Sequence, residues 1–220
     1  MDTSTVISIV WGALVTLSAL TGVILSQRFF VKGVHHRPIT LIFYYTNLSS
    51  ILAALYFVGH GIYLATKASW LSWSELAGVQ LGVACMVSVC LYIFHFLLIK
   101  SDIFHFAERI APLHVRPFEA VLCHYVAPIL TIVWWLVMGN HTGLVWYDAI
   151  VWCVVPFAWT AFVILYAKLH GPIGKRKSAW PYEYMDLEAL GLKRWLINGF
   201  STAFGCVVLG FLYLGLAYLV

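Results

Sequence analysis

Long apolar stretches, separated by short polar segments, run through the whole chain. Each has about 20 residues or more, enough for an α-helix that rises ~1.5 Å per residue to cross a hydrocarbon layer about 30 Å thick. The pattern predicts six spanning helices, at about 4–27, 39–65, 76–99, 119–139, 146–168 and 195–219. We therefore expect an all-α, polytopic membrane protein, in which residues 1–220 form a single integral membrane domain, a bundle of six transmembrane helices.

Composition excludes the soluble classes of protein. Hydrophobic residues make up 62% of the 220 residues and charged residues only 10%, whereas a soluble domain carries about 25% charged residues. The net charge of +4 arises in short loops between apolar stretches, so it does not indicate a nucleic-acid-binding surface. We expect membrane lipids as neighbours and no nucleic acid as a partner, and the sequence leaves the oligomeric state open.

The cysteines and histidines show no spacing typical of a metal site. All five cysteines lie inside apolar stretches, at positions 85, 90, 123, 153 and 206. Thiols at such positions are expected to be packing groups rather than disulfide partners. The pattern therefore predicts neither a metal nor a cofactor.

Basic residues are distributed unevenly between the predicted loops. Twelve of the 13 Lys and Arg residues lie in segments 28–37, 100–116 and 168–194, and Lys67 is the exception. Because cytoplasmic loops carry the excess of Lys and Arg, these segments are predicted to be cytoplasmic and both termini to lie outside. Tryptophans near span ends fit an aromatic belt at the membrane surfaces, at Trp70, Trp73, Trp146 and Trp195.

The second span carries a cluster of small hydroxyl side chains. Thr46, Ser49 and Ser50 are spaced three and four residues apart, which places them on one helix face. Such residues often serve only as hydrogen bonds between membrane helices. A hydroxyl beside a base can instead act as a nucleophile.

Two prolines predict local openings in the helices. Pro128 has no N–H, so it cannot bond the carbonyl of His124 four residues earlier, and Pro156 should likewise leave the Trp152 carbonyl unpaired. We expect span four to be kinked or opened near His124 and span five near Trp152. A histidine in this place can be a structural hydrogen bonder or a catalytic base.

The predicted depth brings several polar residues to one side of the membrane. Counted from the span ends, Thr46, His95, His124 and Asn198 all lie in the cytoplasmic half. A hydroxyl and an imidazole at comparable depth can form a nucleophile–base pair. The nearby segment 180–186 is predicted to be either a lid over such a site or a segment in the headgroup layer.

Three short motifs resemble those of the androgen-induced protein family, in its bacterial branch. They are Tyr45–Ser49 on span two, His124–Pro128 on span four and Pro181–Asp186 after span five, and their order and spacing agree with the family. That family consists of six-span membrane proteins. Its animal members are intramembrane threonine hydrolases of fatty-acid esters of hydroxy fatty acids.

The resemblance implies a function and a set of site residues. Thr46 would be the nucleophile and His124 its base, acting on a lipid or fatty-acid ester in the bacterial plasma membrane. Residues expected to bind substrate or to support the pair are Asn47, Ser49, Ser50, Tyr125, Pro128, Tyr182 and Asp186. Depth alone adds His95 and Asn198, as candidates to orient the His124 imidazole.

Two other functions remain open from the residues alone. The bundle can be a non-catalytic protein that binds or transports a lipid or another small molecule. It can also hold a haem, with His95 and His124 as the axial ligands on the cytoplasmic side.

Overall fold

The computed structural model describes residues 1–27, 40–95, 116–171, 173 and 180–220. Every regular element among these residues is helical, which confirms the predicted all-α class. The α-helices are α1 (Thr3–Ser26), α2 (Thr40–Phe43), α3 (Tyr45–Thr66), α4 (Ala77–Ile93), α5 (Arg116–Val121), α6 (Ala127–Met138), α7 (Asp148–Val151), α8 (Val154–His170) and α9 (Leu187–Ala217). A π-helix, Leu122–Val126, joins α5 to α6, and 3₁₀ turns occur at Ser69–Glu75 and Glu183–Met185.

The chain is an all-α polytopic membrane protein. Within the described ranges, five helical stretches are long and apolar enough to span a membrane: Thr3–Ser26, Tyr45–Thr66, Phe118–Met138, Asp148–His170 and Leu187–Ala217. The pair Ser69–Glu75 and Ala77–Ile93, bent by 60°, makes a sixth if it counts as one span. The predicted count of six therefore depends on this bent pair, and residues 96–99 of its predicted span lie outside the described residues.

Two predicted boundaries are wrong in detail. The second span does not run unbroken from residue 39, because Tyr44 has extended backbone angles (φ −103°, ψ 123°) that end α2 and begin α3. The last helix begins at Leu187 instead of residue 195, since the Asp186 carboxylate caps its first turn by accepting the Ala189 N–H at 3.0 Å. Gly191 (φ 71°, ψ 158°) then breaks that helix before its membrane part.

The interior of the bundle is built on aromatic side chains from α6. Trp134 and Trp135 are completely enclosed, and α3 packs against Trp134 through Phe57, whose ring centroid lies 4.9 Å away. Along α1, Val15 and Ala19 are fully buried. Large apolar side chains on the outer faces are exposed, as contact with lipid tails requires.

The cysteines are buried as predicted, and three of the four tryptophans named for the aromatic belt lie at helix ends. All five thiols are free and buried. Trp70, Trp73 and Trp146 are exposed at helix ends. Trp195 is partly buried, and its indole N–H donates to the Met185 carbonyl at 3.1 Å.

The segments that fix the predicted orientation are only partly described. Segment 28–37 lies outside the described residues, as do most of 100–116 and the basic run 175–177. The placement of both termini outside therefore stays a prediction.

Candidate active site

Thr46 and His124 meet in the bundle. The Thr46 Oγ1 and His124 Nε2 atoms are 3.3 Å apart, although the two residues are separated by 78 positions in the chain. Both side chains are half-buried. The predicted proximity of this pair is confirmed, whereas the catalytic roles of the two residues stay predictions.

A backbone carbonyl determines the tautomer of His124. The other ring nitrogen, Nδ1, lies 3.0 Å from the Ala120 carbonyl oxygen. Because a carbonyl can only accept, Nδ1 carries the proton in the neutral ring and Nε2 offers its lone pair. The Thr46 hydroxyl is then the donor to Nε2, which is the arrangement that a nucleophile and its base require.

The local helix geometry explains how His124 reaches this position. Residues Leu122–Val126 form a π-helix that ends two residues before Pro128, and the Ala127 N–H donates to the Leu122 carbonyl five residues earlier. The predicted opening of span four near His124 is therefore confirmed. The His124 ring also stacks on Phe94 of the third span, with centroids 4.0 Å apart and planes at 26°, which restricts its rotation.

The opening in span five differs from its prediction in one respect. Trp152 and Cys153 form a turn between α7 and α8, so an interruption is present. The Trp152 carbonyl is not left unpaired, however, because it accepts the Val155 N–H at 3.2 Å in a tighter, three-residue turn.

The break at Tyr44 places Thr46 in the first turn of α3. In an unbroken helix the Thr46 N–H would donate to the Ile42 carbonyl. Here the Trp159 indole N–H donates to that carbonyl at 2.9 Å instead. The amides of Tyr45 and Thr46 then have no acceptor within their own helix and lie at its electropositive end.

Tyr182 approaches the pair from the segment between α8 and α9. It is buried, and its phenol interacts with the Thr46 side chain. Its ring contacts Tyr44 and Trp159 at centroid distances of 6.1 and 5.8 Å. Burial raises the pKa of the Tyr182 phenol well above its usual value, and the Tyr184 phenol adds to this, so the hydroxyl stays a neutral donor.

The segment 180–186 therefore covers the pair in part. Tyr182 and Met185 are both buried against the bundle. The structure favours the lid interpretation over a segment that lies wholly among the headgroups. The side chain of Pro181 is only half-buried.

The remaining polar residues of α3 make contacts between helices. The Ser49 hydroxyl donates to the Thr46 carbonyl at 3.0 Å and lies 2.9 Å from the Cys90 thiol of α4. Ser50 interacts with the Cys123 thiol, and the Ser26 hydroxyl donates to the Asn47 amide oxygen at 3.2 Å. These three residues support the position of Thr46 rather than its chemistry.

Other predicted supporting residues lie further from the pair. His95 Nδ1 is 3.1 Å from the Tyr125 hydroxyl, and His95 is exposed. Asp186 caps α9. The backbone carbonyl of Asn198 accepts a hydrogen bond from the Thr202 hydroxyl. Among the described residues, Asn198 has no contact with Thr46 or His124.

The pair geometry does not favour the haem interpretation. Both ring nitrogens of His124 already have partners in the chain, Thr46 and the Ala120 carbonyl. An axial bond to iron needs one of these nitrogens. His95 faces Tyr125 rather than His124.

Comparisons with protein-family models, with curated proteins and with solved structures find no match to this chain. The resemblance to the androgen-induced protein family therefore rests on the three short motifs and stays a hypothesis.

Proposed function

We propose that this protein is an intramembrane hydrolase of lipid esters, of the fatty-acid ester of hydroxy fatty acid type. The observation that carries the proposal is the contact between Thr46 Oγ1 and His124 Nε2, with Nε2 as the acceptor. A threonine hydroxyl needs an adjacent base to become an effective nucleophile. The resemblance described above supplies the substrate class.

In the first step Thr46 Oγ1 attacks the ester carbonyl carbon and its proton passes to His124 Nε2. The resulting imidazolium is stabilised by the Ala120 carbonyl at Nδ1. As the tetrahedral intermediate collapses, the bond to the leaving alkoxide breaks and Nε2–H protonates that oxygen. An alcohol leaves and the acyl group remains on Thr46.

In the second step a water molecule replaces the alcohol. His124 Nε2 takes one proton from the water, and the hydroxide oxygen bonds to the acyl carbon. Collapse then breaks the bond to Thr46 Oγ1, which recovers its proton from Nε2. The products of the whole cycle are one carboxylic acid and one alcohol, and the protein returns to its starting state.

Two kinds of donor support a proposed oxyanion site beside Thr46. The amides of Tyr45 and Thr46 lie at the N-terminal end of α3, where partial positive charge favours an anion. The Tyr182 hydroxyl supplies a further donor, from the segment between α8 and α9. We assign the oxyanion site to this group of three donors.

Tyr182→Phe should lower turnover by roughly 10²-fold, the usual effect of removing one oxyanion donor. The ring contacts of Tyr182 survive this change, so thermal stability should move little. Tyr184→Phe is the matched control, because Tyr184 stacks on Tyr182 with centroids 5.4 Å apart and has no described contact with Thr46. Equal, small effects of both substitutions on the turnover number would remove Tyr182 from the oxyanion site.

Turnover of a fluorescent lipid ester by the purified protein separates the hydrolase from a non-catalytic binding or transport protein. The hydrolase releases one acid and one alcohol per ester, in equal amounts. A binding or transport protein leaves the ester chemically intact, and that result would end the proposal.

We also propose that both termini lie outside and that the Thr46–His124 end faces the cytoplasm. In a protein without its native cysteines, Thr142→Cys should react with a membrane-impermeant maleimide on sealed cells, and Glu188→Cys should react only after the cells are opened. Both positions are exposed, so burial does not limit their labelling. The reverse pattern would invert the orientation.

A further inference from the structure

A second polar region lies at the other end of α3. His60 follows Thr46 by 14 positions, which corresponds to about 21 Å along the helix. A cavity of about 440 Å³ opens beside it. Its polar lining includes His60, Glu75, Gln80, Asn140, Ser4 and Thr5.

Buried hydrogen bonds hold the walls of this cavity in place. Gln80 is almost fully buried; its amide donates to the Ser74 carbonyl at 2.9 Å and its carbonyl oxygen accepts the Asn140 N–H at 2.6 Å. The Asn140 side-chain amide donates to the Glu75 carbonyl at 2.9 Å. These bonds join the 3₁₀ turn Ser69–Glu75 to the end of α6 before any ligand binds. The conformational entropy lost on binding is therefore smaller.

The surroundings of His60 determine which of its nitrogens can serve a ligand. The Ser74 hydroxyl donates to the Leu71 carbonyl at 2.8 Å, so its oxygen accepts from His60 Nδ1, which lies 3.3 Å away. In the neutral ring Nε2 is then an acceptor. Glu75 Oε1 lies 3.8 Å from the same Nδ1. Ser74 and Glu75 therefore both lie beside Nδ1. A Ser–His–acid catalytic triad needs the serine and the acid at different ring nitrogens, so this arrangement excludes one.

The cavity offers a ligand two hydrogen-bond acceptors, one of which carries negative charge. His60 Nε2 and the Glu75 carboxylate both accept, and no Lys or Arg lines the described cavity. Lys67 is near enough to act electrostatically on His60 but is not part of the lining, and its Nζ lies 5.0 Å from the Tyr63 ring centre. The rest of the lining is apolar and includes Ile7, Leu64 and Val137.

We propose that this cavity binds a primary alkylammonium group. Its –NH₃⁺ has three donors and a positive charge, which match the His60 acceptor and the Glu75 carboxylate. Its alkyl chain matches the apolar side of the lining. This chemistry occurs both in the ethanolamine headgroup of a lipid and in a free long-chain amine.

Titration of the full-length protein in phosphatidylcholine nanodiscs with n-hexylammonium tests the proposal by calorimetry. Binding should saturate at one ligand per chain, and n-hexanol and hexanoate of the same length should bind at least tenfold more weakly. Glu75→Gln should weaken hexylammonium at least tenfold, since it removes the charge and keeps the shape. Glu188→Gln, at an exposed carboxylate on α9, is the matched control and should change nothing.

A second variant keeps the test decisive if Glu75→Gln fails to fold. Leu64→Trp fills the apolar side of the cavity and leaves Glu75 in place, so it should also abolish saturable binding. Phosphatidylethanolamine in the nanodiscs should compete with hexylammonium if the natural ligand is a lipid headgroup. An absence of that competition, with hexylammonium binding intact, assigns the site to a free amine. Equal binding of the three probes, or hexylammonium binding unchanged by both variants, would overturn the proposal.

Discussion

Thr46→Ala and His124→Ala should each reduce ester turnover by about 10²-fold or more, and the double variant should lose little beyond the worse single one. The Thr46 hydroxyl is the proposed nucleophile and His124 Nε2, 3.3 Å away, the proposed base. General acid–base help alone typically contributes ~10²–10⁴-fold. Members of one catalytic unit are strongly non-additive, because either loss stops the same step.

Thr46→Ser and Thr16→Ala separate chemistry from packing in this experiment. Thr46→Ser keeps the hydroxyl and should retain part of the activity. Thr16 is also half-buried within a span, and its hydroxyl donates to the Gly12 carbonyl at 2.8 Å, so Thr16→Ala removes a comparable buried hydroxyl away from the pair. Modest, additive losses that follow thermal stability at Thr46 and His124 would show that the pair is only a contact between helices, worth about 0.6–2 kcal/mol.

Gly210→Ala should destabilise the protein more than alanine at Gly205 or Gly215 of the same helix. Gly210 lies where α9 crosses α7, and a Cβ there would overlap the Ala149 carbonyl and come within 2.7 Å of Trp152 Nε1. Overpacking of an interior typically costs about 1–3 kcal/mol. We expect the upper part of that range, because the obstructing carbonyl belongs to the backbone and cannot rotate aside. A lowered thermal unfolding midpoint in detergent measures the effect.

Gly205→Ala and Gly215→Ala are matched controls on the same helix. A Cβ at either position meets nothing within 4 Å. Alanine is the better helix former, so both substitutions should leave the midpoint unchanged or raise it slightly. Equal midpoints for all three variants would contradict the close crossing of α7 and α9.

Hydropathy and proline positions predicted the large features of this fold. The apolar stretches predicted most helix ends to within a few residues of the observed ones. Pro128 correctly indicated an opening at His124. Both signals are local: the length of an apolar run and the missing N–H of proline act within one helix. The closeness of Thr46 and His124 was predicted from their common depth together with the resemblance.

The parts of the site that escaped prediction depend on contacts between distant segments. The Trp159 indole donates a hydrogen bond to the Ile42 carbonyl, which contributes to the start of α3 at Tyr45. No sequence pattern within 39–65 indicates this contact. The partner that orients His124 is a backbone carbonyl, at Ala120, and backbone groups leave no trace in residue identity. Depth alone suggested His95 and Asn198 for that role, because depth does not reveal which way a helix is rotated.

Locating a covalent adduct tests the central claim most directly. The purified protein is treated with a lipid-like fluorophosphonate, which phosphonylates an activated hydroxyl with loss of fluoride, and the modified residue is identified by peptide mass spectrometry. The account predicts one adduct per chain, on the Thr46 hydroxyl, and its loss in a folded His124→Ala variant. An adduct on another residue, or an unmodified Thr46 in a protein that hydrolyses the ester, would contradict it.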